Sequence, residues 1–160
     1  MAATRICFVC LGNICRSPTA EAVMAHRLEF DDLNVHVEVE SAATGSWHVG
    51  HPPDERAREE AVRRGIAMGG TARQFVVDDF ARFDLVMAMD ADNAAALRAL
   101  APDDDARTKV HLLREFDPET HGDQDVPDPY FGGQEGFAHV FDMVDRSITG
   151  LIGHISTLPK

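Results

Sequence analysis

The sequence predicts an α/β fold, a single domain whose four-stranded parallel sheet is covered by helices on both faces. Three observations carry this reading. Strand-like and helix-like segments alternate along the chain, which is the pattern of a parallel sheet. With 160 residues the chain is long enough for one proper core. The first apolar run, Ile6-Cys7-Phe8-Val9, feeds a short glycine-bearing loop from which an amphipathic helix departs.

Taken in order, residues 5–9 read as a buried strand. Ser17 is the expected helix cap and Pro18 the first helical residue, with the helix reaching about Phe30 and carrying Ala20, Met24 and Leu28 on one face, Val23 beside them. Residues 35–41 alternate Val35, Val37 and Val39 against His36, Glu38 and Glu40, as a half-buried strand does. A Gly/Pro-rich loop over 44–53 precedes a charged helix over 54–64, which Gly65 stops. Residues 83–89, apolar but for Asp84, read as a central strand with Met87 and Met89 in the core. Asp90 caps the next helix, which carries Ala94, Leu97 and Ala101, and Asp103-Asp104-Asp105 reads as a solvated turn. Residues 110–113 form a fourth strand, and a long acidic loop spans 117–133. The last helix places Phe137, Phe141, Val144, Ile148, Leu151 and Ile155 at spacings of four and three and ends near Leu158.

Composition narrows the function. Hydrophobic residues make up 44% of the chain, which excludes wholesale disorder, and no apolar stretch is long enough to span a membrane. The start, Met1-Ala2-Ala3-Thr4-Arg5, leads into an apolar run too short for a signal-peptide core. All three cysteines fall within the first 15 residues, so they make no disulfide framework; a reducing cytoplasm is expected, with export without a signal as the alternative. A formal charge of −12 argues against nucleic-acid partners, and it means that affinity for an anion must be local.

The local source is the loop Cys10-Leu11-Gly12-Asn13-Ile14-Cys15-Arg16 followed by Ser17-Pro18. It puts a thiol at the end of a strand and at the mouth of a helix, where free N–H groups and the helix dipole favour an anion. A thiol in such a field ionises readily, and the thiolate is the nucleophile. Arg16 adds a planar fork suited to two phosphate oxygens, and Gly12 stands where the backbone approaches a ligand. The pattern is that of a phosphate-binding loop between the first strand and first helix, able to attack a phosphoryl group. A zinc site at Cys7, Cys10 and Cys15 is not expected, because Cys7 and Cys10 point to opposite faces of a strand and no second pair follows.

Such chemistry needs an acid for the leaving oxygen and then a base for water. Asp128 is the candidate, stiffened between Pro127 and Pro129, against the plainer reading of an Asx turn in a loop full of acids (Asp117, Glu119, Asp123, Asp125). Tyr130 and the single tryptophan, Trp47, would line a slot for an aryl group, although a lone tryptophan is often core. His48, His51, His111 and His121 have no metal-ligand spacing and read as solvated surface.

These motifs together resemble the low-molecular-weight protein tyrosine phosphatases. Cys10-x5-Arg16-Ser17-Pro18 resembles the family's phosphate loop. Ser41-Ala42-Ala43-Thr44, Trp47-His48, Gly50 and Pro53-Asp54-x-Arg56 resemble its second block, and Ala72-Arg73-Gln74, Asp84-Leu85, Met89-Asp90 and Asn93 its middle. Asp128-Pro129-Tyr130 resembles its acid loop. The resemblance covers nearly the whole chain and implies one phosphatase domain over 1–160 that acts on tyrosine-phosphorylated proteins without metal or cofactor and without nucleic-acid or membrane partners. It implies Cys10 as nucleophile, Arg16 as phosphate and transition-state ligand, and Asp128 as acid then base. Phosphate would be bound by the loop N–H groups of Leu11, Gly12, Asn13, Ile14, Cys15, Arg16 and Ser17. Ser17 would activate Cys10, Asn13 and Ser41 would support the loop, Trp47 and Tyr130 would flank the substrate ring, and Cys15 would be the redox partner of Cys10. Two departures stand out: Gly70 occupies a position where many relatives carry a network His, and Phe131 one where some carry a second Tyr.

Three alternatives follow from the same residues. A thiol-coupled arsenate reductase needs resolving cysteines downstream, and the chain has none after Cys15. A phosphoarginine phosphatase shares loop and acid, but relatives of that kind carry Thr where this chain has the bulkier, apolar Ile14. An inactive phosphoprotein-binding module would need a hidden defect, since Cys10, Arg16 and Asp128 are all present.

Overall fold

The strand β1 (Thr4–Cys10) sends Ile6, Phe8 and Cys10 to one side and Cys7 and Val9 to the other, and all five are buried. A strand covered on both faces must be apolar throughout, which explains its uninterrupted run. In the computed structural model, which describes residues 2–120 and 122–158, β1 pairs in parallel with β2 (Val37–Ala43) and β3 (Leu85–Ala88), and β3 with β4 (Val110–Leu112), in the order β2-β1-β3-β4. His121 lies outside the described residues, as do Met1, Pro159 and Lys160 at the ends of the expected domain.

Helices α1 (Arg16–Phe30) and α6 (Gln134–Ser156) cover one face, where Val23 and Met24 meet Val144, Ile148 and Leu151 over Phe8 and Met87. On the other face α3 (Asp79–Arg82), α4 (Ala91–Leu100) and α5 (Asp104–Thr108) bring Phe80, Leu97 and Ala106 against Cys7, Val9 and Val86. The chain leaves β1 for β2 on one side and returns to β3 on the other. Such a reversal opens a crevice at the carboxyl ends of the strands, and Cys10 stands at that edge. No helix of the described residues is long and apolar enough to cross a membrane.

The four-stranded parallel sheet between helical layers is therefore as expected, with local corrections. Helix α1 starts at Arg16 with Cys15 as its cap, two residues ahead of the Ser17 cap and Pro18 start expected; the Ser17 hydroxyl is engaged elsewhere. Strand β2 lies two residues later than the alternation suggested, because pairing with β1 runs from Thr4–Val37 to Cys10–Ala43. Strand β3 is shorter: Phe83 ends α3, and the Asp84 carboxylate accepts the Arg5 N–H at 2.8 Å. The acidic triplet is not a turn, since Asp103 caps α5 by accepting the Ala106 N–H. Helix α2 (Glu55–Arg63) ends as predicted. Gly65 has φ +70°, and the Ile66 and Gly65 N–H groups close on Ala61 and Val62 carbonyls.

Asp117 is not a solvated loop acid either. Its side chain is 0% exposed and accepts bonds from Arg114, Arg146 and the Glu119 N–H, tying the 3-10 turn Leu113–Phe116 to α6. Burial opposes its charge, but these donors outweigh burial and hold its carboxyl below the usual range; Asp54, Glu60 and Asp79 are lowered the same way by arginines. A lowered folded pKa stabilises the fold above the unfolded value of about 4 and loses that contribution as pH falls through the folded value. Asp117→Ala should therefore cost about 3 kcal/mol in urea unfolding at neutral pH. The difference from the native protein should shrink on acidification below about pH 4.

Candidate active site

The loop after β1 wraps around the Cys10 sulfur. The Asn13 N–H donates to Sγ at 3.2 Å, and the Ser17 hydroxyl lies 3.0 Å from it. Asn13 holds φ +57°, a left-handed conformation that Asn tolerates better than most residues. Its side chain locks that shape, donating from Nδ2 to Ser17 Oγ (2.8 Å) and Ser41 Oγ (2.9 Å) while Oδ1 accepts the Arg73 N–H. Ser41 in turn donates to Glu21 at 2.5 Å. This closes the network beside Gly70, whose position borders a hollow of about 170 Å³ behind the loop. Burial and nearby Glu40 raise the Glu21 carboxyl above its usual range, partly offset by the Ser41 bond and Arg73.

No side chain caps the start of α1. The first-turn N–H groups are therefore open to an anion at the loop. Arg16, 3% exposed, donates to Asp90 at 2.6 Å and to the Val126 carbonyl at 3.0 Å, and its other nitrogen faces Asp128 at 3.7 Å. Burial works against its charge, yet Cys10 and Asp90 outweigh burial and raise its pKa further. Asp90 does cap α4 as expected, through one oxygen to the Asn93 N–H, but its second oxygen holds Arg16. Asp128 makes the Asx turn of its plainer reading and is also turned toward Arg16. One oxygen accepts the Tyr130 N–H in an Asx turn, and the other faces Arg16.

Above the sulfur lies a cavity of about 230 Å³. Leu11, Gly12, Ile14, Cys15 and Arg16 form its floor, and Trp47, His48, Asp128, Tyr130 and Phe131 its walls. A larger hollow of about 500 Å³ between Thr4, Leu33, His36 and Ile155 lies at the opposite end of the sheet and contains no cysteine or arginine. Trp47 is 71% exposed, so it is wall and not core. Its ring folds over Gly45, where a Cβ would sit 2.0 Å from it. A Cβ on Gly12 would meet the His48 ring at 2.9 Å, so Gly12 makes room for a neighbouring side chain. His48 is thus half-buried against the loop, unlike the solvated histidine expected. Cys15 is buried beneath the loop, and burial together with Asp54 and Cys10 pushes its thiol up.

Sequence reasoning assigned no role to Asp54 and Arg56, although Asp-x-Arg at a helix start is a visible signal. The Asp54 N–H bonds the Ile14 carbonyl, and its carboxylate takes Arg56 side on at 3.1 and 3.0 Å. The same guanidinium donates to the carbonyls of Tyr130 and Gly132 and lies over the Phe137 and Tyr130 rings. One side chain thereby fastens the phosphate loop's neighbour to the loop that carries Asp128.

Fold and site together define an α/β protein with a cysteine-bearing phosphate loop between its first strand and first helix. Residues 5–159 match the model of the low molecular weight phosphotyrosine protein phosphatases, and the chain belongs to that family. A low molecular weight protein-tyrosine-phosphatase of Streptomyces coelicolor is 48% identical over 152 residues, 94% of this chain and 93% of that one. The crystal structure of a protein tyrosine phosphatase from Entamoeba histolytica with Hepes in its active site superposes with a TM-score of 0.90 at 36% identity, covering 96% of this chain and 97% of that one. A Drosophila arginine phosphatase superposes with 0.88 at 30% identity, covering 96% and 99%.

If Arg56 holds the Asp128 loop in place, Arg56→Met should lower kcat on phosphotyrosine by about tenfold, the scale of losing hydrogen bonds from a charged group. The loss should be smaller for an aryl phosphate whose leaving group needs no proton. Steady-state kinetics on the two substrates check this.

Proposed function

We propose that the chain hydrolyses phosphotyrosine in proteins, and small aryl phosphates, through a phosphate ester of Cys10. The observation that carries the reading is the convergence of the Cys10 sulfur, the open start of α1, Arg16 and Asp128 in one aromatic-walled cavity. Loop N–H groups and Arg16 bind the phosphoryl oxygens and meet the charge of the transition state. The Cys10 thiolate forms the S–P bond as the P–O bond to the leaving phenol breaks, and Asp128 gives that oxygen its proton. Asp128, now a carboxylate, accepts a proton from water as the water oxygen attacks phosphorus. The S–P bond breaks, the thiolate returns, and inorganic phosphate leaves. No step calls for a metal or cofactor.

The site also has the parts for reversible oxidation. Peroxide would convert the Cys10 thiolate to a sulfenic acid, releasing hydroxide, and the Cys15 thiol would condense with it, releasing water and leaving a disulfide that thiol reductants reopen. This fits the cytoplasmic setting expected from the cysteine usage.

Cys10→Ser should abolish turnover while inorganic phosphate still binds, because the N–H groups and Arg16 remain. Asp128→Asn should lower kcat on phosphotyrosine by roughly 10²–10⁴-fold, with a smaller loss on a leaving group that needs no proton. Appreciable turnover by the serine variant, or equal losses on both leaving groups, would overturn these roles.

A phosphoarginine substrate is the second reading, favoured by the likeness to the Drosophila arginine phosphatase. Ile14 argues against it. Buried in the cavity floor, it sets an apolar side chain where a charged guanidinium would need a polar one. Comparing kcat/KM on phosphotyrosine, phosphoserine and phosphoarginine should give clear preference for the first, shifted toward phosphoarginine in Ile14→Thr. A native preference for phosphoarginine would decide for the second reading.

A further inference from the structure

Behind the phosphate loop runs a chain of side chains whose hydrogen bonds have only one consistent direction. A carboxylate can only accept, so between Glu21 and Ser41 the single hydroxyl hydrogen of Ser41 is spent on Glu21. Ser41 Oγ then meets Asn13 with lone pairs alone, and it requires the amide nitrogen there. At the other end of the amide the Arg73 backbone N–H can only donate, and it requires the amide oxygen. The two constraints agree and exclude the flipped amide. Asn13 Nδ2 therefore spends its second hydrogen on Ser17 Oγ at 2.8 Å. Ser17 is left with one hydrogen and two recipients, the Cys10 sulfur at 3.0 Å and the Ala42 carbonyl at a long 3.4 Å.

We propose that Glu21 is a positioning residue of the active site: by taking the Ser41 hydrogen it fixes the direction of the Ser41–Asn13–Ser17 chain, so that Ser17 donates to the Cys10 sulfur. The proposal rests on Cys10 being the nucleophile. Without the Glu21 acceptor, the Ser41 hydroxyl can turn and present its hydrogen to Asn13. Only the Arg73 N–H then opposes a flipped amide, whose oxygen would face Ser41 and Ser17, and in the flipped form the Ser17 hydrogen follows that oxygen away from sulfur. Glu21 touches neither substrate nor sulfur, and its effect must travel through orientation alone. A residue serving only to pack α1 would depend on volume, whereas this role depends on one acceptor oxygen.

The test separates the two. Alkylation of Cys10 by iodoacetamide at neutral pH, with the label located by mass spectrometry, reads the nucleophilicity of the sulfur without any turnover. A chain that failed to hydrolyse aryl phosphates would therefore still report on Glu21. In Glu21→Met, for which the adjoining hollow of about 170 Å³ leaves room, alkylation and kcat on p-nitrophenyl phosphate should both fall by about tenfold, the scale of one hydrogen bond to a charged group. KM and inhibition by inorganic phosphate should stay within about twofold, because the loop N–H groups and Arg16 are untouched. Glu21→Gln, whose amide oxygen can take the same hydrogen, should recover most of the loss. Ser41→Ala removes the hydroxyl that would turn, so in its background Glu21→Met should change alkylation no further, and the single Ser41→Ala and the double variant should react at the same rate. Alkylation of the Met variant at the native rate would overturn the proposal. So would a Gln variant as slow as the Met variant, or losses that multiply in the double variant.

Discussion

A guanidinium with almost no contact with water has to be paired, and much of this molecule is arranged around that requirement at Arg16. An unpaired buried charge costs several kcal/mol, so the residues around it are constrained as strongly as the arginine itself. Asp90 at the end of β3 supplies the closest carboxylate, and the Val126 carbonyl a second acceptor. Val126 can offer that carbonyl only because its own N–H bonds Met89, which lays the start of the acid loop along the edge of the sheet. The buried Arg16 thus also sets where the loop bearing Asp128 begins. Its own backbone opens α1, so loop, sheet edge and acid segment meet at one side chain.

Three aspartates around the site divide their labour in the same way. Asp90 and Asp128 each give one oxygen to a backbone N–H two or three residues on and the other to an arginine, and Asp54 does the same except that its first oxygen also takes the Arg56 Nε. The local bond freezes the carboxylate, so the second oxygen meets its arginine with little left to order. A buried or half-buried arginine gains an acceptor already aimed at it. At Asp90 and Asp128 the cap or Asx turn and the arginine contact do not compete, since each oxygen takes one of them.

This division also explains what was readable in the sequence and what was not. The strand–loop–helix at Cys10 was readable because its signals are local: an apolar run, a glycine, and a cysteine and an arginine at fixed separation. The cap at Asp90 was local too, whereas its bond to Arg16 spans 74 residues and leaves no trace in the neighbouring sequence. The same holds for Glu21 and Ser41, and for the grip of Arg56 on the carbonyls of residues 130 and 132. Strand ends were misplaced where pairing, and not alternation, decides them. The short helices α3 and α5 escaped notice because one turn carries too little periodicity to register.

The bond from Arg16 to Val126 joins residues 110 apart. A ribosome delivers the cysteine and its loop long before it delivers the partner that buries the arginine, and α6 follows later still. Until then the nascent segment has a thiol and an exposed guanidinium but no acid opposite them and no aromatic wall at Tyr130. The complete pocket is consequently a property of the finished chain: a polypeptide released early holds Cys10 and Arg16 without the carboxylate and the aromatic wall that face them.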